Sequence, residues 1–108
     1  MPQRKYARCA KNDRGWYAIR DPRTRREWGA RLFEAQQGRC ALCRCKFASD
    51  DMNEALQKAY GPTFDHIVAY ASGGSSDFEN LRLVHVVCNQ QRASGRHALA
   101  ASIPRRLR

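Results

Sequence analysis

Two sets of side chains between residues 40 and 92 are of types and spacings that could do chemistry. The first pairs Cys40-Ala41-Leu42-Cys43 with His85-Val86-Val87-Cys88. C-x-x-C is the spacing at which two thiolates on a tight turn can grip one tetrahedral zinc, and H-x-x-C supplies the matching half, so Cys40, Cys43, His85 and Cys88 would close a structural site. The competing account is four small buried side chains with no metal. Cys45 makes the run C-x-x-C-x-C and is either a third thiol able to swap in or a spare; a cysteine two residues on is expected to point away, so spare is the expectation. The second set is Asp65 and His66, Asn80 fourteen residues after the histidine, and Asn89 twenty-three after it. A carboxylate plus an amide oxygen suits a hard cation such as Mg²⁺, which keeps several waters. An imidazole with a reference pKa of about 6.5 can take a proton at neutral pH. Each residue alone has an ordinary explanation: a structural histidine, a turn asparagine at 80, a helix cap at 89. Together they supply a base and oxygen donors, the residue types that metal-assisted hydrolysis uses.

These residues need elements to hold them. Phe64 to Tyr70 is apolar and β-branched enough to read as a strand, Gly73 to Asp77 marks a loop, Leu81 to Val87 reads as a second strand, and the chain from Cys88 reads as a helix. On a strand, neighbours point to opposite faces, so Asp65 and His66 can serve two sides of one substrate group. Upstream, Asp21-Pro22 starts a helix and Gly38 stops it, with Trp28, Leu32 and Ala35 on one apolar face and Phe33 beside them. Arg23, Arg25, Arg26 and Arg31 would face outward. Ser49 to Tyr60 reads as a short helix opened by Asp51 and closed by Gly61-Pro62, with Met52, Ala55, Leu56 and Ala59 as its buried stripe.

Strand, loop, strand and helix carrying D-H, N and C-N at these intervals resemble the ββα-metal fold of the HNH endonucleases across Asp65 to Arg92. The expected fold class is therefore α+β, a small ββα-metal domain with a zinc-knuckle pair and flanking helices. The resemblance implies that His66 is the general base, that Asp65 and Asn89 hold the catalytic divalent metal, and that Asn80 braces the loop orienting His66. Asparagine at the third position favours Mg²⁺ or Mn²⁺ over softer ions. Many members carry zinc knuckles, more often with cysteine where His85 stands and glycine where Arg44 stands. Arg92 stands where the family often has lysine, and either cation would reach a phosphate. The implied activity is hydrolysis of DNA phosphodiester bonds, nicking or cutting both strands, with little sequence preference of its own. The rival accounts are a non-catalytic zinc module that binds nucleic acid, and a nuclease subunit of a larger phage or mobile-element assembly.

Charge agrees with a polyanionic partner. The net charge is +10, and it sits at the ends: residues 1–26 carry nine Lys/Arg against two acids, residues 27–91 six against eight, and residues 92–108 five against none. The expected organisation is a basic N-terminal arm at 1–20, the nuclease domain with its zinc site at 21–104, and a basic tail at 105–108. Arg4, Lys5 and Arg8 in the arm and Arg105 and Arg106 in the tail are candidate phosphate contacts, with Tyr6, Trp16 and Tyr17 able to stack on bases. The arm could equally be a tail whose aromatics cover the core. Sequence preference, if any, would come from these ends or from a protein partner. No stretch approaches the ~18 apolar residues of a membrane span, and the N-terminus lacks the apolar core of a secretory signal. An intracellular, nucleic-acid-associated protein with reduced thiols is expected. A chain this short buries only about 60 to 70% of its unfolded surface, so a metal staple would matter.

Overall fold

The computed structural model describes residues 20–69, 72–93 and 103–108. Among them are three helices and a two-stranded antiparallel sheet: α1 (Pro22–Ala35), α2 (Glu54–Tyr60), β1 (Pro62–His66), β2 (Leu81–His85) and α3 (Val86–Ala93), with short 3-10 turns at Phe78–Asn80 and Arg105–Leu107. This is the expected α+β class, consistent with an HNH ββα domain. The described residues divide into two compact units, one within residues 20–32 and 66–82 and the other within residues 33–65 and 83–108. No helix among the described residues is long and apolar enough to cross a membrane.

In the first unit, Asp21 caps α1 as expected: its carboxylate accepts from the Thr24 amide at 2.9 Å and the Thr24 hydroxyl at 2.8 Å, satisfying a donor that the helix start leaves open. Further along α1, Trp28 meets Phe78 edge to face at 5.6 Å, and the Arg31 guanidinium lies 4.1 Å above the same ring. Arg31 therefore serves packing through a cation–π contact. Among its described residues, Leu32, Leu81 and Ser76 have buried side chains.

Among the described residues, most of the buried side chains lie in the second unit. Cys40, Cys43, Cys45, Phe47, Leu83, Val84, His85, Cys88, Ile103 and Leu107 are buried there. After Ala35 the chain turns through Gln37 and Gly38, both at positive φ, and the Gly38 amide bonds back to the Phe33 carbonyl. A Cβ on Gly38 would press on the Phe33 ring at 3.1 Å, so this stop needs glycine on both counts. Phe33 itself stacks on Phe47, 6.0 Å between centroids, yet stays 47% exposed, and Ala35 is exposed too. The apolar face of α1 is thus narrower than its periodicity predicts.

Three element boundaries differ from the sequence reading. β1 ends at His66. β2 ends at His85 and α3 begins at Val86, because Cys88 must fold back within one turn to rejoin His85; that demand overrides the β preference of Val86 and Val87. The helix read at 49–60 begins at Glu54. Its cap is Asn53, whose side chain accepts from the Leu56 amide at 2.9 Å, while Asp51 instead accepts from the Ser49 hydroxyl. Met52, Leu56 and Ala59 are half-buried and Ala55 is exposed, so α2 has a shallow seat against α3 in place of the expected buried stripe.

Candidate functional site

The four zinc-type ligands come together. One ligand atom from each of Cys40, Cys43, His85 and Cys88 lies within 4.8 Å of all the others. A zinc ion about 2.3 Å from each sulfur and about 2.0 Å from a nitrogen fits inside a cluster of that size. The knuckle forms because the Cys40 amide bonds to the Cys45 carbonyl and the Arg44 amide to the Cys40 carbonyl, an arrangement that puts Arg44 at φ +67°. That is the position where the family often carries glycine, and here a side chain bears the strain. The knuckle is tied to β2 by the Ala41 amide on the Leu83 carbonyl and by Gln36, which bonds to both the amide and the carbonyl of Leu83.

His85 is set up as a ligand. Its Nε2 lies 2.8 Å from the Lys46 carbonyl, which can only accept, so Nε2 carries a proton and Nδ1 is the nitrogen turned to the sulfurs, 3.2 Å from Cys43 and 3.6 Å from Cys88. Phe47 and Tyr60 hold the ring edge to face at 5.1 and 5.7 Å. Burial raises the Cys43 thiol to about 11, helped by charge on Cys40, and pushes Cys88 higher still. Cys40 is also raised by burial, but hydrogen bonds from His85 and from the backbone amides of Cys43, His85 and Leu42 outweigh it and bring the thiol down to about 6. Without a cation, this cluster carries one thiolate. A divalent ion would offset the burial cost and the repulsion that keep the other two protonated, so the donor set, the proton on Nε2 and the spacing all fit zinc. Cys45 is buried and lies outside the cluster of ligand atoms, as the spare-thiol reading expects.

In the same unit, Asp65 is 5% exposed on β1, and its carboxylate takes a 2.7 Å ion pair from Arg92 on α3. Asn89 is half-buried three residues before Arg92, on the same side of α3. It is the fourth residue of the helix, so it is not the cap. Arg92, expected as a phosphate contact, is thus committed to a carboxylate.

In the other unit, the Asn80 side chain holds the loop after β1. Its Oδ1 accepts from the Val68 amide at 2.8 Å, and its Nδ2 donates to the carbonyls of Val68 at 3.0 Å and Ser75 at 2.6 Å. The Asn80 carbonyl also accepts from the Ile67 amide at 2.8 Å. Gly74 is wedged in this loop: a Cβ there would lie 1.7 Å from the Val68 carbonyl oxygen, which no relaxation of a side chain could relieve. Half-buried His66 has its Nε2 2.9 Å from the hydroxyl of Ser76, itself fully buried. Ser76 is a neighbour that sequence reasoning missed, since a serine in Gly-Gly-Ser-Ser-Asp carries no signal beyond a solvated loop.

Arg4, Lys5 and Arg8 lie outside the described residues. Arg105 and Arg106 are exposed, but on a 3-10 turn whose Leu107 is buried and whose carbonyl accepts from the Lys46 amide. The end read as a tail is docked into the core of its unit by this leucine and by Ile103.

The model of the HNH endonuclease family matches residues 40–95, just over half of the chain, starting at the first knuckle cysteine and covering every proposed zinc and site residue from Cys40 to Arg92. The chain belongs to the HNH endonuclease family. No curated protein and no solved structure matches it significantly.

Proposed function

We propose that this protein is a metal-dependent endonuclease that hydrolyses phosphodiester bonds in DNA, nicking one strand or cutting both, with little sequence preference of its own. The observation that carries the reading furthest is the Asn80 brace: one side chain making three hydrogen bonds to the backbone of the loop that follows a half-exposed histidine, inside a family-matched segment. Such a brace is more than a turn requires.

His66 is the general base, taking a proton from the attacking water while Ser76 holds the ring through Nε2. Asp65 and Asn89 are the oxygen donors for a hard divalent cation, Mg²⁺ or Mn²⁺. The donor set fits: the Asp65 carboxylate already draws a cationic group, and asparagine in mid-helix is a poor helix former whose placement there suits a ligand better than a scaffold. When bound, that cation would neutralise charge on the phosphoryl oxygens and stabilise the departing oxygen. Zinc at the cysteine cluster would have no part in the chemistry, since Cys40, Cys43, His85 and Cys88 would supply all four donors of a closed site. The +10 charge supports DNA as the partner, with Arg105 and Arg106, together with Arg4, Lys5 and Arg8, as its phosphate contacts and with any specificity coming from the chain ends or a protein partner.

The test is relaxation of supercoiled plasmid by zinc-loaded protein. With Mg²⁺ or Mn²⁺ the plasmid should become nicked or linear, and without added divalent ion it should stay supercoiled. A protein that shifts the plasmid in a gel but never relaxes it, across both ions, is a binding module and not an endonuclease.

A further inference from the structure

Arg92 deserves a role other than the phosphate contact its position suggests, because its guanidinium sits on the carboxylate proposed as a metal ligand. Asp65 is on a strand and its side chain is 6% exposed, so it has little freedom to turn away. Arg92 is 32% exposed, near the end of α3, on a long stem with several rotatable bonds. The anchored partner is the acid and the movable partner is the base. A buried carboxylate needs a counter-charge at all times. A guanidinium at 2.7 Å supplies it, but a guanidinium and a divalent ion within the width of one carboxylate repel each other.

We propose that Arg92 is an intramolecular competitor for the catalytic cation: it holds Asp65 in the metal-free protein and must be displaced from it when a divalent ion binds. The inference rests on Asp65 being a ligand of that ion. It follows that the ion's measured affinity is lower than the intrinsic one by the fraction of molecules in which Arg92 has let go. It also follows that metal binding liberates a cationic side chain beside the site, so metal and a phosphate ligand would favour each other's binding.

The experiment is Mn²⁺ binding to the zinc-saturated protein, measured by calorimetry and by the loss of free Mn²⁺ signal in electron paramagnetic resonance, without DNA. Arg92→Gln keeps a hydrogen-bond donor for Asp65 but removes the charge, and should tighten Mn²⁺ binding about tenfold. Arg92→Lys should fall between the two, which also serves if the glutamine variant fails to hold its zinc. Lys58→Gln, which removes the same charge from an exposed position on α2, should match the wild type. Asp65→Asn should abolish binding. If Asp65→Asn abolishes binding while Arg92→Gln and Arg92→Lys bind as the wild type or more weakly, the competitor role is overturned and the pair is structural. If Asp65→Asn binds Mn²⁺ unchanged, Asp65 is not a ligand; the proposed catalytic assignment fails, and the competitor role with it.

Discussion

The two regions proposed to carry this protein's chemistry are secured in different ways. Around the cysteine cluster, His85 is fixed by a carbonyl on one nitrogen and two rings at its edges, Cys40 receives the amides of Leu42 and His85 at 3.4 and 3.3 Å, and Gln36 clamps the strand behind them. Around His66 the holding is done by polar contacts: the Asn80 side chain bonds to the loop backbone and the Ser76 hydroxyl meets the ring. Ile67 and Val68, beside the histidine, are about half exposed. A chain of this length has little apolar area to spend, and it concentrates that area where a metal can multiply its effect. On the proposed function the lesson is a division of duty, in which the cluster makes the fold and the braced loop presents the proposed base. Substitutions in the first region should cost structure, and those in the second should cost activity first.

The largest effect should come from the cluster. Cys40→Ala or Cys88→Ala should release the metal and destabilise the fold by at least several kcal/mol, as closed zinc sites contribute folding energy directly. Elemental analysis should fall from one zinc per chain to none, and the thermal transition should broaden or disappear. A variant that stays folded and active would dissolve the distinction between the regions.

Zinc affinity should also fall with pH in a defined way. Between about pH 7 and 9 Cys43 and Cys88, whose thiols are raised by burial, are protonated in the metal-free cluster while Cys40, near 6, is already ionised. Uptake of zinc then releases two protons, and affinity drops roughly a hundredfold for each unit the pH falls. Below about pH 6, Cys40 regains its proton and the dependence steepens. Calorimetry in buffers of different ionisation enthalpy counts the protons; three released at pH 7.5 would mean that the cluster is not assembled before the metal arrives.

Asn80→Ala should cost about 2 to 3 kcal/mol, since it strands an amide and two carbonyls of the loop. Zinc content should be unchanged, which separates this region from the first. Arg44→Gly gives the smallest change, a gain of about 1 kcal/mol, by relieving a side chain held at φ +67°. Denaturant unfolding resolves both.

Much of this arrangement was legible in the sequence, for reasons that differ by residue. C-x-x-C and H-x-x-C constrain geometry through covalent spacing, so the cluster could be read without knowing the fold. Asp21-Pro22 announced its helix because capping is local. The boundary at Val86 was not legible: two valines after a strand favour more strand, and only the demand that Cys88 return to His85 reverses them. Leu107 was hidden among arginines at the end of the chain, where composition suggests a solvated tail, and its burial depends on a core built by distant residues. Phe33 erred the other way, an aromatic next to a buried leucine that reaches Phe47 and still shows half its surface. Ser76 could be found only through its partner.

The account stands or falls on His66. The deciding measurement is Mn²⁺-dependent nicking of supercoiled plasmid by His66→Ala, made on protein whose zinc content and melting temperature are recorded alongside. The account predicts wild-type zinc, a melting temperature within a few degrees of the wild type, retained DNA binding and no nicking. Nicking at the wild-type rate by that folded, zinc-loaded variant would contradict it.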